Sequence, residues 1–553
     1  MLCLALVLSL SSSVHATVYY VDSASGHDGN SGTSSGDAWA SLTPVNALTL
    51  GPGDMVLFKA DTSYTGQLKP KGSGADGNPI IIDMYGTGAK PRIDGEGDVN
   101  QTLLLENVEY YEVSNLEITN TGSTAGVSGR MGVRVWANSP SLPIAHHIHL
   151  KNLYVHDVNG SLIKDGRGVG INIWCSGSTS RFDDLLIEDC HLVRTDRDGI
   201  GFWSNYYDPA NNWNPSTHVV VRGNRLEDIG GDGIVVVGCE GALVEYNTLN
   251  GGRMRLTDEY AAGMWPWGST NTLFQFNEVS GMVGTLDGQA FDCDYHCDGT
   301  IFQYNYSHDN DGGFMLFASP GNSSLGVSHS IVRYNISQND GSDSRVFNLV
   351  GKVTNSKIYN NVVYLGPGMN NLLVRTGAWG VGTPDGNQFY NNIFYTDGRW
   401  RYDISTGSGM VFENNVFYGD HFKPPSDAFA LYSDPMLAGP GSGGSGLDSV
   451  GGYMLQEDSP AIDSGQEIAG NGGMDYWGNS VPDGMTDRGA HEFYSHSGDI
   501  DSDGDVDFGD FALFGLWWLD TGCGSCGGAD LTGEGDVTID DLNIMANNWL
   551  VDL

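Results

Sequence analysis

LVEYNTL (residues 243–249), LFQFNEV (273–279), IFQYNYS (301–307) and IVRYNIS (331–337) are four versions of one phrase. Each is an apolar-alternating run, then Asn, then another apolar position. The phrase extends upstream as HLKNLYV (149–155), LIEDCHL (186–192) and VVRGNRL (220–226). Downstream it continues as KIYNNVV (357–363), QFYNNIF (388–394) and VFENNVF (411–417). Aligned, the copies place Asn152, Cys190, Asn224, Asn247, Asn277, Asn305, Asn335, Asn361, Asn392 and Asn415 in one column, spaced 23 to 38 residues apart. The period is 2 within each copy, which is that of a strand, and no copy shows a helical 3.6. A period of this length means a solenoid, whose coils bury together what none could bury alone. Amides in register at a bend can hydrogen-bond from coil to coil, so the column is expected to form an Asn ladder.

A second short strand follows each phrase: GIGFW (199–203), GIVVV (233–237), GMWPW (263–267), AFDCD (290–294), GFMLF (313–317) and RVFNL (345–349). Aligning them puts Ile200, Ile234, Met264, Phe291, Phe314 and Val346 inward. The alternation then turns outward Trp203, Trp265, Trp267, Asp292, Asp294, Met315 and Phe317. Two tryptophans thereby stand beside two aspartates on neighbouring coils, about 4.8 Å away.

Composition agrees. The chain has 553 residues, 79 of them Gly, and 68 Asp+Glu against 26 Lys+Arg, a formal net charge of −42. So negative a surface argues against nucleic acid and anionic membranes as partners. Residues 1–16 read as an export signal ending at Val14-His15-Ala16, no later run is long enough to span a membrane, and a secreted, extracellular protein is expected. Five scattered cysteines read as buried thiols, while Cys523 and Cys526 are spaced for a local disulfide.

The stretch YYVDSASGHDGNSGTSSGDAWASL (19–42) resembles the opening of secreted right-handed parallel β-helix carbohydrate-active enzymes. DPMLAG (434–439), LQEDSPAIDSG (455–465) and DRGAHEF (487–493) resemble their closing segment. The resemblance implies an all-β right-handed parallel β-helix over residues 17–425 and a closing segment over 426–494. It implies action on a polysaccharide or oligosaccharide without naming it, because one fold hosts many activities.

Aspartates two apart on a strand have backbones about 6.5–7 Å apart, near the spacing at which one carboxyl protonates a glycosidic oxygen and another acts on carbon or water. Asp292 and Asp294 are therefore candidate catalytic residues, with Asp287 in the turn before them a third. Trp203, Trp265, Trp267, His308, Asp311 and Arg345 are candidate substrate-binding residues. Arg345 occupies a column held elsewhere by Gly or Ala, from which a long side chain could reach across a cleft. A glycoside hydrolase is the preferred reading. In a Ca²⁺-dependent lyase, Asp287, Asp292, Asp294 and Asp298 would hold the ion in the cleft, with Arg345 or Lys352 as base. A non-catalytic glycan-binding surface protein is the third reading.

Residues 495–553 form a separate unit. DIDSDGDVDFGD (499–510) places Asp499, Asp501, Asp503, Asp505, Asp507 and Asp510 at Ca²⁺-loop spacing around Gly504. DLTGEGDVTIDD (530–541) repeats it more weakly with Asp530, Thr532, Glu534, Asp536 and Asp541. Each loop leads into a short apolar helix. The pair resembles a type I dockerin, which implies bound Ca²⁺ and docking to a cohesin-type scaffold or cell-surface protein.

Overall fold

The computed structural model describes residues 16–164, 168–177, 180–255, 258–321, 325–342, 344–481, 486–493, 497–501 and 506–549. The expected leader, up to residue 15, and the loop residues Asp503 and Asp505 lie outside the described residues.

Short parallel strands stack in three rows and make a parallel β-helix. The first row runs from Val18–Val21 to Val411–Glu413 as one sheet. The second row includes Thr248–Asn250, Glu278–Ser280 and Tyr306–His308, and the third Met264–Trp267, Gln289–Asp294 and Gly313–Ser319. Alternation decides the core. Phe274, Phe302, Val332, Ile358, Phe389 and Phe412 lie in register along the first row and point inward, all buried. A Ser41-capped helix, Leu42–Ala47, packs Leu42 and Val45 at the first coils. At the other end the Leu431 backbone pairs with Asn415 and Phe417.

The Asn ladder forms from Asn224 to Asn415. Each Oδ1 accepts the backbone N–H and the Nδ2–H of the preceding Asn at 2.9–3.1 Å. Cys190 N–H donates to Asn224 at one end, and the Asp427 carboxylate accepts from Asn415 at the other. Asn152 does not belong to it. It is an exposed turn residue, and Leu153 takes the column position because Tyr154 pairs with His191. The residue before each ladder Asn has positive φ, including Tyr246, Phe276, Tyr304 and Tyr334. Bulky residues rarely adopt that conformation; here the ladder holds the bend and the rings stack from coil to coil at 4.9–6.0 Å.

The closing segment lies back along the flank of the last coils. Tyr453, Leu455, Ile468 and Tyr476 pack on Tyr304, Tyr334 and Tyr359. Tyr304 donates to Met474 O at 3.0 Å, and Arg333 to Gly470 O at 2.7 Å.

Residues 497–549 have their own small apolar core of Val506, Phe514, Ala529, Val537 and Met545. Cys523 and Cys526 are bonded, and the five other cysteines described are buried free thiols. Two helices, Phe508–Leu516 and Ile539–Asn547, each begin with a capping box, Asp507 with Asp510 and Thr538 with Asp541. None of the described helices is long and apolar enough to cross a membrane.

Candidate active site

The third row carries the site, and its register differs from the sequence alignment by one residue at a decisive place. Met264 pairs with Phe291 and Trp267 with Asp294, as expected, which sets Trp265 beside Asp292. On the next coil, however, Phe291 pairs with Met315, so Leu316 and Ala318 flank Asp292 and Asp294. Met315 and Phe317 point inward and are fully buried, not outward. The slip also pairs Gln289 with Gly313, and Gly313 precedes Arg345 in the same column.

Trp267 and Asp294 are half-buried, whereas Asp292 is only 4% exposed. Trp265 is not an exposed platform: at 2% exposure its indole N–H donates to Asp232 Oδ1 at 3.0 Å. The Lys164 ammonium lies 4.6 Å over its ring and 3.9 Å from Asp232. Arg197, fully buried, bridges Asp198 at 2.7 Å and Asp232 at 2.9 Å. Lys164 and Arg197 come from turns, and no repeat signal marked them. Asp198 and Asp232 belong to Asp-Gly turns like that of Asp287, so that recurrence was the available clue.

The carboxylates differ sharply in electrostatics. Burial pushes Asp232 up, but Arg197 and Lys164, with the Ala262 N–H and the Trp265 indole, more than offset it and hold it low. Burial raises Asp287 to about 6, against the attraction of Lys164, Arg345 and Arg253. Burial also raises Asp294 to about 7, although the Tyr295 N–H and Lys164 favour its charged form. Asp292 is pushed well above the carboxylate range by burial and by the neighbouring Asp294 and Asp287. Carboxyls with separated pKa values in one cleft are a mark of acid–base chemistry.

Beside the acids runs an aromatic row. Trp136, Trp174 and Trp203 follow one another in register, and Trp267 continues the row two coils on, past Val237. Trp136 and Trp174 stack at 5.5 Å with Arg134 over both rings, and Trp203 meets Trp267 edge-on at 6.1 Å. Trp174, Trp203, Tyr207, Val237 and Trp267 line a cavity of about 150 Å³. Tyr207 and Tyr295 flank Trp267 at 5.3 and 5.6 Å. The indole N–H groups of Trp203 and Trp267, Asp292 Oδ1, the Gln289 amide and Arg345 Nε are buried without a hydrogen-bond partner in the protein. Buried polar atoms are nearly always paired, and of these groups the indole N–H groups of Trp203 and Trp267 belong to residues that line the cavity.

The other expected residues go elsewhere. His308 lies in the second row, pinned between Glu278 at 3.2 Å and Asp309 at 3.0 Å. Gly446 of the closing segment donates to the same Glu278, so His308 is covered by that segment and turned away from the acids. Asp311 bridges two turns through Gly284 N–H and Ser342 Oγ. Arg345 is half-buried and Asp287 attracts it across the cleft. Asp298 is exposed and bonds Ser328 and His329. Among the described residues, no three of Asp287, Asp292, Asp294 and Asp298 bring ligand atoms within 4.8 Å of one another, so the geometry offers the cleft Ca²⁺ no support.

In the C-terminal unit, Asp499, Asp501 and Asp510 do bring oxygens within 4.8 Å. Asp510 also accepts from the Ile500, Asp501 and Asp507 N–H groups, and Asp507 caps its helix through Gly509 N–H. In the second loop Asp541 accepts from Thr532 and Thr538 N–H, Asp530 from Glu534 and Gly535 N–H, and Asp536 from Gly522 N–H. Those carboxylates are turned toward backbone, as Asp510 is in the first loop.

Comparison with known proteins places this geometry. Residues 99–279 match the family model for the right handed beta helix region. A lacto-N-biosidase of Bifidobacterium longum subsp. longum is 31% identical over 577 residues, covering 82% of this chain and 34% of that protein. This chain is similar to lacto-N-biosidases. It spans about a third of the length of that curated relative. The crystal structure of the GH136 lacto-N-biosidase from Eubacterium ramulus superposes with a TM-score of 0.56 at 28% identity, covering 68% of each chain. Its selenomethionine derivative gives 0.57 at 27%, covering 72% of this chain and 67% of that one.

Proposed function

We propose that this protein is a secreted glycoside hydrolase of lacto-N-biosidase type, acting on an oligosaccharide laid along the third row. The observation that carries the reading is the cluster of raised carboxyls at the end of an aromatic row, in a chain similar to enzymes of that name. Asp294, at about 7, keeps a proton to donate to the glycosidic oxygen. Asp287, at about 6 with cations around it, is ionised near neutrality and supplies the second carboxylate. Asp292, held neutral, is a buried support for the pair. Trp203 and Trp267 offer rings against which the apolar face of a sugar stacks, with their N–H groups free for its hydroxyls.

The test is hydrolysis of a chromogenic lacto-N-bioside alongside neutral and acidic polysaccharides, following reducing ends and ultraviolet absorbance. Release of the chromophore without an unsaturated product is expected. Absorbance from an unsaturated uronate would move the assignment to a lyase, and binding without cleavage would move it to a glycan-binding protein. Trp267→Ala should raise KM about tenfold, equivalent to roughly 1.4 kcal/mol of lost sugar contact, with a smaller effect on kcat.

The C-terminal unit is proposed to be a dockerin-like module that binds Ca²⁺ at the first loop and docks to a cohesin-type scaffold or surface protein. Asp499, Asp501 and Asp510 would hold the ion, a hard cation suited to such oxygens. Chelation should lower the melting temperature of this unit, and Asp501→Ala should remove the response to added Ca²⁺ in calorimetry.

A further inference from the structure

A second cluster lies on the first row, far from the acids in sequence and on a different face of the coil. Glu112, His147 and His149 bring ligand atoms within 4.8 Å of one another. They come from neighbouring strands, Tyr111–Ser114 and Ile144–Lys151, with Glu112 directly opposite His149. Asp184, on the next strand, completes the group. His146 pairs with Asp183 and Ile148 with Leu185, so His147 and Asp184 sit at matched bends, both with positive φ.

We propose that Glu112, His147 and His149 bind one divalent transition-metal ion, of the Zn²⁺ class, on the outside of the β-helix. His147 Nε2 lies 3.2 Å from Glu112 Oε1. Ligands about 2.0–2.1 Å from a tetrahedral ion are about 3.3 Å from one another, so this pair already has the spacing of adjacent ligands. His147 Nδ1 meets Asp184 Oδ2 at 2.7 Å. A carboxylate on the far nitrogen is how metal-binding imidazoles are usually oriented and made more basic. Asp184 Oδ1 also meets His149 Nε2 at 2.9 Å, while His149 Nδ1 is buried without a partner in the protein.

A plain ion-pair network explains the group less well. The two imidazole rings are 3.9 Å apart, centre to centre, so protonating both would set like charges against each other. With neutral rings the group carries two carboxylate charges and spare nitrogen lone pairs, which a divalent cation would use and neutralise. The nearby Lys151 ammonium is directed to Glu188 at 3.9 Å. The side chains of Glu112 and His147 are 35% and 24% exposed, so an ion can arrive from solvent. Two nitrogens and one oxygen, with water completing the set, suit Zn²⁺, Co²⁺ or Ni²⁺ rather than Ca²⁺. Bound there, the ion would clamp neighbouring coils and stabilise the stack by mass action.

The experiment uses the full chain stripped of metal and titrated with Co²⁺, then Zn²⁺. Co²⁺ should give a visible ligand-field band at one equivalent that Zn²⁺ abolishes, and Zn²⁺ should raise the melting temperature. His147→Gln and His149→Gln should each weaken binding at least tenfold, and Asp184→Asn several-fold. Asp499→Asn with Asp501→Asn, which alters the C-terminal loop, should leave the band unchanged. Absence of a visible band on the unmodified chain, or a Co²⁺ affinity in both His variants equal to that of the unmodified chain, would overturn the proposal.

Discussion

Asp294→Asn is expected to lower kcat by about 10²–10⁴-fold, the contribution general acid catalysis ordinarily makes, with little change in KM. An amide at this position fills the same space beside Trp267 but has no proton to give the leaving oxygen. Asp287→Asn costs a similar factor, because the ionised partner is lost. Asp292→Asn is expected to cost far less, because burial and the neighbouring Asp294 and Asp287 favour the neutral form of its carboxyl, which an amide resembles. The pH profile carries the same assignment. If the proposed roles hold, with Asp287 ionised and Asp294 protonated in the active form, activity is expected to rise through about 6 and fall through about 7. In Asp294→Asn the alkaline limb disappears from the residual rate. If Asp292→Asn proved as damaging as Asp294→Asn while remaining folded, the roles given to the three acids would be wrong.

Asn305→Ala, at a central rung of the ladder, is expected to be strongly destabilising. Asn305 Oδ1 accepts from Asn277 N–H and Nδ2–H, and its Nδ2 donates to Phe274 O and to Asn335. All of this is fully buried, so alanine would leave the Asn277 backbone N–H without its acceptor, remove one of the two bonds of the Asn277 amide, which keeps Val244 O, and remove the Asn305 bond to the Phe274 carbonyl. At roughly 1–3 kcal/mol for each unsatisfied group, the loss is on the order of 3–5 kcal/mol. It would also loosen the positive-φ bend at Tyr304, which the ladder holds in place. Thermal and denaturant melting of Asn305→Ala beside Asn152→Ala checks this, since the exposed Asn152 should cost under about 1 kcal/mol. Equal losses at both positions would mean that the amide column contributes nothing beyond turn preference.

Much of this molecule is written locally. Strict period-2 alternation in IFQYNYS and its neighbours states which side chains face the core, and an amide recurring at each bend states where the coils lock. Oxygen-bearing residues at fixed offsets around Gly504 are likewise a local pattern, on which the proposed Ca²⁺ loop rests. The sequence placed Asp292 and Asp294 beside the Trp265–Trp267 strand, with Asp287 in the turn before them, and the structure keeps Trp267 paired with Asp294. What the chain could not state alone was decided between coils. The one-residue slip from Phe291 to Met315 exchanges Phe317 for Ala318 beside Asp294, because a shift of one flips every side chain to the other face. Trp265 points outward by alternation yet is buried, because Lys164 covers its ring and Asp232 binds its indole. Asn152 looked like the first rung of the ladder, and Leu153 holds that place. Alternation fixes a side chain's direction, but its burial, its charge and its partners depend on residues about 30 positions away that only the stacking of coils brings alongside.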